Sequence, residues 1–225
     1  QPLVVANPAF GSIGLRKKES HLNTTHQQRS GDLDSFIWTP LPGTEKEGTA
    51  IAKLTEALLL MKEEATTSAV QEQNAPKILH LASHSYFLAD QITKNNNEQQ
   101  VELLQGLNTP LLKINKGENP LLRSGIVLAG ANQPEANPDD DGYLTALEVA
   151  KIDWQGTEMV VVSGCESGKG DIQSGEGVYG LKRAIAVAGS RSSLLSLWKV
   201  NDAATAAFMK SFYQRLKKGE GKADS

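Results

Sequence analysis

Apolar residues fall along this chain in short, nearly unbroken runs, separated by stretches with a helical period. Five runs predict strands: LVVA at 3–6, KILHLAS at 77–83, GIVLAG at 125–130, EMVVVSG at 158–164 and SRSSLLSLW at 190–198. Most are continuously apolar rather than alternating, which suits strands covered on both faces, as in a parallel sheet. Three helical patterns lie between and after them. Residues 43–62 place Ile51, Leu54, Leu58 and Met61 on one stripe, with Thr44 and Glu47 spaced as a capping box. Residues 177–189 space Val178, Leu181 and Ile185 helically and end on Gly189, a C-terminal stop. Residues 201–218 run Ala204, Phe208, Phe212 and Leu216 along one face, with basic residues in the last turn. Strands alternating with helices predict βαβ units and a largely parallel sheet between helical layers. Two polar stretches break the rhythm: 11–35, read as a loop, and the Asn/Gln-rich 91–118, read as a long excursion.

Composition narrows the field. A chain of 225 residues with 39% hydrophobic and 22% charged residues is ordinary for a globular protein. No interdomain linker or repeat is visible, so residues 1–225 are expected to form one domain. A net charge of −3 without a basic block gives nucleic acid little electrostatic purchase. No run approaches the length of a membrane span. A single cysteine excludes an internal disulfide, and the expectation is a cytoplasmic protein. The chain opens on QPLVVANP and stops at GEGKADS, which reads as a piece of something longer.

Ligands of an open parallel sheet bind beyond the carboxyl ends of its strands. Two reactive side chains lie there: His84, after ILHLAS, and Cys165, after VVVSG. A thiol needs a base or a cationic neighbour to become a nucleophile at neutral pH, and histidine is the usual one. A lone cysteine is more often a small buried hydrophobe; the polar, glycine-rich SGCESGKGDIQSGEG around this one argues for a surface position. His80, flanked by Leu79 and Leu81, reads as a core or supporting histidine. HLASH lacks the glutamate and the helical setting of a zinc site. Gly175, Gly177 and Gly180 satisfy a dinucleotide fingerprint, but they do not follow their strand directly, so a helix start is the better reading. Asn137, Asp139, Asp141, Gly142 and Glu148 have the spacing of a calcium loop without its leading helix, and Thr145 with Glu148 forms a capping box instead. No metal or cofactor is therefore expected. Glu166, Asp171, Glu176 and Asp141 gather around the expected site, either as a solvated acidic rim or as a pocket for a basic substrate residue.

Taken in order, ILHLASHSYF, NPLLRSGIVLAGA, DDDGYLTALEVAKID and the stretch from VVVSGCESGKGD to SFYQRLKKG resemble the CHAT domain family, as do LVVANP, LPGTEKEG and EEATTSAV earlier in the chain. The resemblance covers nearly the whole chain. It implies a caspase-like three-layer α/β/α fold with a mostly parallel central sheet, cysteine endopeptidase activity on protein or peptide substrates, and helical-repeat domains as neighbours or partners. It makes His84 the catalytic histidine, Cys165 the nucleophile, and the backbone N–H groups of Ser85 and Cys165 the oxyanion hole. Ser85 stands where the family usually has glycine; a backbone N–H survives that change, but a positive φ there would be strained. It also implies that the family continues past this C-terminus with a helix and a final strand. The alternative is a non-hydrolytic regulatory or scaffolding module that keeps the fold.

Overall fold

The structure, a computed structural model, describes residues 1–11, 29–88, 118–164, 176–196 and 202–222. Its centre is a five-stranded, all-parallel sheet. In chain order its strands are β1 (Leu3–Pro8), β2 (Leu58–Lys62), β3 (Ile78–Ala82), β7 (Met159–Val162) and β8 (Ser193–Leu195), and in space they run β2-β1-β3-β7-β8. A second, antiparallel sheet holds β4 (Ser85–Phe87), β5 (Ser124–Val127) and β6 (Tyr143–Thr145). The helices are α1 (Pro42–Thr55), α2 (Thr67–Gln71), α3 (Ala146–Val149), α4 (Glu176–Val187) and α5 (Asp202–Lys217).

Alternation along the central strands divides the core in two. Leu3, Val5, Leu79, Leu81, Val160 and Val162 face α2, α3 and α4 and bury Leu181, Ala184 and Ile185. Val4, Ala6, Ala82, Met159 and Val161 face α1 and α5, against Ile51, Met209, Phe212 and Tyr213. This is the expected α/β/α layering. Both faces of each inner strand are covered, which is why the strands read as continuous apolar runs.

Several expectations need correction. GIVLAG is a strand, but β5 pairs antiparallel in the small sheet, not in the parallel one. The first helix stops at Thr55, with Glu56 in the left-handed region, and Leu58–Lys62 turns back as an edge strand beside β1. Thr44 and Glu47 form no capping box: the helix begins earlier, at Pro42, and the Thr44 hydroxyl donates to the Leu41 carbonyl (2.7 Å). On α5 the buried face is Met209, Phe212 and Tyr213, while Phe208 is 55% exposed. Other readings hold. Thr145 and Glu148 do form a capping box, and Gly189 ends α4 at φ +104°. Part of the 11–35 loop and most of the 91–118 excursion lie outside the described residues.

Helix α1 packs unusually close to β1. A Cβ on Gly48 would collide with the Ala6 Cβ and lie 3.5 Å from Val4 and Leu59 carbons. Gly48→Ala gains about 1 kcal/mol of helix propensity but costs roughly 1–3 kcal/mol in overpacking. Urea unfolding is expected to show a net loss, partly restored by adding Ala6→Gly.

Candidate active site

The strand order reverses between β1 and β3, the place where open parallel sheets form their crevice. The carboxyl ends there and next door deliver Phe10 after β1, His84 after β3, Gly164 after β7 and Ser196 after β8. Ser83 breaks β3: its hydroxyl donates to the Val127 carbonyl, and Val127 N donates to the His84 carbonyl (2.9 Å). The chain thus leaves the parallel sheet and enters the antiparallel one at His84. His80 and His84 consequently do not share a surface, although their spacing along a single strand would put them on the same face.

His84 is only 5% exposed. Its ring lies between Phe10 (centroids 5.2 Å apart, 40° tilt) and Trp38 (5.3 Å, 41°). Its Nε2 is 2.8 Å from the Thr39 carbonyl oxygen, which can only accept. In the neutral ring the proton therefore sits on Nε2 and the lone pair on Nδ1. Thr39 is itself held through Trp38. Asn132 Oδ1 accepts from Trp38 N (2.9 Å), Asn132 Nδ2 donates to the Trp38 carbonyl (2.9 Å), and Trp38 Nε1 donates to the Tyr143 hydroxyl (2.9 Å). None of Phe10, Trp38, Thr39 or Asn132 was legible as a site residue; the aromatic-rich FIWT, just before the α1 proline, was the available signal.

The two residues before Cys165 are held tightly. Ser163 N donates to the Leu81 carbonyl (2.9 Å), and its hydroxyl donates to Glu47. Gly164 N donates to Ser196 Oγ (3.1 Å), which donates back to the Gly164 carbonyl (2.9 Å). A Cβ on Gly164 would collide with the Ser83 carbonyl oxygen and stand 3.3 Å from Ser85 Oγ, so the exit of β7 lies against the residues on either side of His84. Cys165, Glu166 and Asp171 fall outside the described residues. Glu176 opens α4, and its side chain is not described.

Behind the site, Glu47 is buried, with its Oε1 3.1 Å from His80 Nε2, and His80 Nδ1 is 3.2 Å from the Tyr213 hydroxyl. Burial and the Glu47 charge hold the Tyr213 phenol well above its ordinary pKa. It stays protonated and donates to Nδ1, so Nε2–H donates to Glu47 and the expected supporting role of His80 takes a definite form.

The acidic stretch is occupied by structural work. Asp140 accepts from Thr67 N (3.0 Å) and Ser68 Oγ (2.5 Å) at the start of α2. Asp141 accepts from Tyr143 N (2.9 Å), pairs with Arg29 Nε (3.4 Å), and its side chain is 12% exposed. Glu148 is engaged in its capping box. Ser85 lies in β4 without a positive φ, so serine there carries no backbone strain.

Burial pushes the Asp141 carboxyl up to about 6, with Glu148 and Asp140 adding to the rise and the Tyr143 N–H and Arg29 opposing it. A carboxyl whose folded pKa exceeds its unfolded one stabilises the fold at low pH and loses that contribution as pH rises through the folded value. Between pH 4 and 7 the stability of Asp141→Asn relative to wild type is therefore expected to improve, by on the order of 2 kcal/mol. Urea titrations at the two pH values test this; a pH-independent difference would refute it.

The sequence matches the CHAT domain family over residues 1–225. It is also 25% identical to human (Homo sapiens) Tetratricopeptide repeat protein 28 over 196 residues, covering 84% of this chain and 8% of that protein. The mouse (Mus musculus) counterpart is 25% identical over 239 aligned positions, covering 96% of this chain and 9% of that protein. The chain thus spans less than a tenth of these relatives. No solved structure matches it. With a family match along its full length and the layered architecture described above, the chain belongs to the CHAT domain family, whose members are caspase-like.

Proposed function

We propose that this domain is a cysteine endopeptidase acting through His84 and Cys165. The observation that carries the reading is the fixed state of His84. A backbone carbonyl holds its Nε2 proton, two aromatic rings clamp it, and the exit of β7 runs beside it. In this reading Nδ1 takes the proton of the Cys165 thiol. The thiolate attacks the peptide carbonyl carbon, and the oxyanion is met by the N–H groups of Ser85 and Cys165. His84 returns the proton to the leaving nitrogen as the C–N bond breaks. Water, deprotonated by His84, then cleaves the thioester and frees the thiol. The ladder of the small sheet supports the Ser85 assignment. Val127 N donates to the His84 carbonyl and Leu88 N to the Arg123 carbonyl, so the alternation of an antiparallel pair turns the Ser85 N–H away from β5.

The substrate is a protein or peptide, and a helical-repeat domain or partner presents it, as the repeat-bearing names of the relatives suggest. For specificity we infer a preference for Arg or Lys before the cut, carried by Glu166, Asp171 and Glu176. Asp141, tied to Arg29, contributes through Tyr143 and the Trp38 wall rather than by meeting substrate.

Cys165→Ala is expected to abolish peptide cleavage, roughly a thousandfold or more, with His84→Ala costing nearly as much because the pair acts as a unit. Cys165→Ala is expected to keep the wild-type unfolding curve, whereas His84→Ala loses a buried ring and the donor to the Thr39 carbonyl and is expected to be destabilised, so its activity is compared under conditions where it is folded. His80→Ala instead leaves a buried carboxylate short of a donor and is expected to cost roughly 3–5 kcal/mol of stability. Iodoacetamide labelling of Cys165 separates enzyme from scaffold: rapid reaction near neutral pH supports the dyad, and a sluggish thiol in a folded domain contradicts it.

Specificity is tested by comparing fluorogenic peptides that differ only in the residue before the cut. Arg or Lys peptides are expected to turn over faster than the Asp peptide; equal or better cleavage after Asp refutes the acidic-pocket assignment.

A further inference from the structure

Residues 36–39 form an extended run that belongs to neither sheet. The Phe36 and Trp38 rings stack on one side of it (centroids 5.6 Å apart, 18°), as alternate side chains of a strand do. Asn132 bonds both the N–H and the C=O of Trp38, at 2.9 Å each, which requires those two groups to point the same way, as they do in a strand. The peptide units are planar and trans, so the other halves of the same two units, the Ile37 C=O and the Thr39 N–H, point the opposite way. Among the described residues no donor meets the Ile37 carbonyl and no acceptor meets the Thr39 N–H. His84 takes the next carbonyl, that of Thr39, and Pro40, which has no N–H, ends the run. One edge of this short segment is thus closed by Asn132, and the other is open. The open edge is at the surface: Ile37 is 57% exposed and Thr39 is exposed beside it, while Trp38 between them is buried.

We propose that residues 37–39 are a docking edge for an extended peptide, which adds to them as a short strand. The peptide donates a backbone N–H to the Ile37 carbonyl, accepts from the Thr39 N–H, and lays an apolar side chain against Ile37. An acceptor and a donor flanking one residue on one edge match the free backbone groups of an extended chain. They do not match a helix, whose N–H and C=O groups are bonded internally. Trp38 fills the inner face of the segment, so Ile37 and Thr39 present the outer one, and the exposed Ile37 is the apolar surface that face offers. The edge stops at the carbonyl that fixes the His84 proton, so a peptide held on it lies next to the histidine. That this peptide is the substrate rests on the peptidase reading above; the docking edge itself does not. The apolar residue occupies a different position of the peptide from the basic residue assigned to the acidic cluster.

The test uses the full chain carrying Cys165→Ala, which holds peptides without cutting them. Binders are selected from a phage-displayed random heptapeptide library, and the strongest is synthesised. Adding it is expected to slow exchange of the Thr39 amide with D2O by about tenfold or more, read by NMR, while the Trp38 amide, already bonded to Asn132, changes little. Methylating the peptide nitrogens one at a time is expected to cost about 3- to 10-fold in affinity at the position that meets the Ile37 carbonyl. Ile37→Asp, an exposed substitution, is expected to weaken binding by a similar factor with the thermal midpoint unchanged. The proposal is overturned if no peptide is enriched, or if bound peptide protects the open edge of β2 and leaves Thr39 exchange as it was. Sedimentation that shows a dimer dissociated by Ile37→Asp would also overturn it, by giving the edge to a second copy of this chain. Cleavage of library peptides by wild type with Thr39 exchange unchanged removes the docking edge and keeps the peptidase. Peptides that protect Thr39 but are not cut by wild type keep the edge and remove the peptidase.

Discussion

The carboxylate of Glu47 is the constraint around which the rest is arranged. It lies inside the α1/α5 face of the sheet, among side chains that are otherwise apolar. A buried charge is tolerated only when donors surround it. Two are supplied, the Ser163 hydroxyl and His80 Nε2–H, and His80 is in turn fixed by Tyr213. Four elements therefore have to agree: α1 brings the charge, β3 and α5 bring the histidine and its partner, and the end of β7 brings the serine. Apolar residues of similar volume would hold the layers together as well. They would not fix Ser163, two residues before the cysteine, in one position.

The opposite wall is held without net charge. Asn132 bonds both the N–H and the C=O of Trp38, as a neighbouring strand would. That leaves the next carbonyl, of Thr39, in place for His84. The small antiparallel sheet closes the arrangement, because β5 accepts Ser83 and bonds the His84 carbonyl from the side away from the crevice. His84 and the end of β7 are thus supported by separate side-chain networks, which come into contact where Gly164 lies against Ser83 and Ser85.

Hydrophobic runs made the central sheet legible because burial on both faces erases alternation. The same signal misled at β5. It is also buried on both faces, between the main core and the cluster of Phe10, Trp38 and Tyr143, so the pattern reports burial and not which sheet a strand joins. LLLMK hid β2 because its leucines continue the helical stripe of α1, and only the left-handed Glu56 breaks it. Thr44 and Glu47 have capping-box spacing, but Glu47 is taken by tertiary contacts that no local pattern records. The place of His84 at a strand end was legible, because the apolar run stops just before it. Its carbonyl partner was not, since a backbone oxygen carries no signature in sequence.

Different parts of this chain set geometry and set specificity. Everything that fixes His84 and the two residues before Cys165 belongs to strands, to α1 and α5, or to short turns closing on them. Those contacts are buried, directional and mutually dependent, so a change in one is felt at the others. Glu166, Asp171 and Glu176, proposed above to meet substrate, follow Gly164 in the sequence rather than belonging to those contacts among the described residues. In the proposed reading, substitutions there change which peptide is accepted without disturbing the bond that holds the histidine.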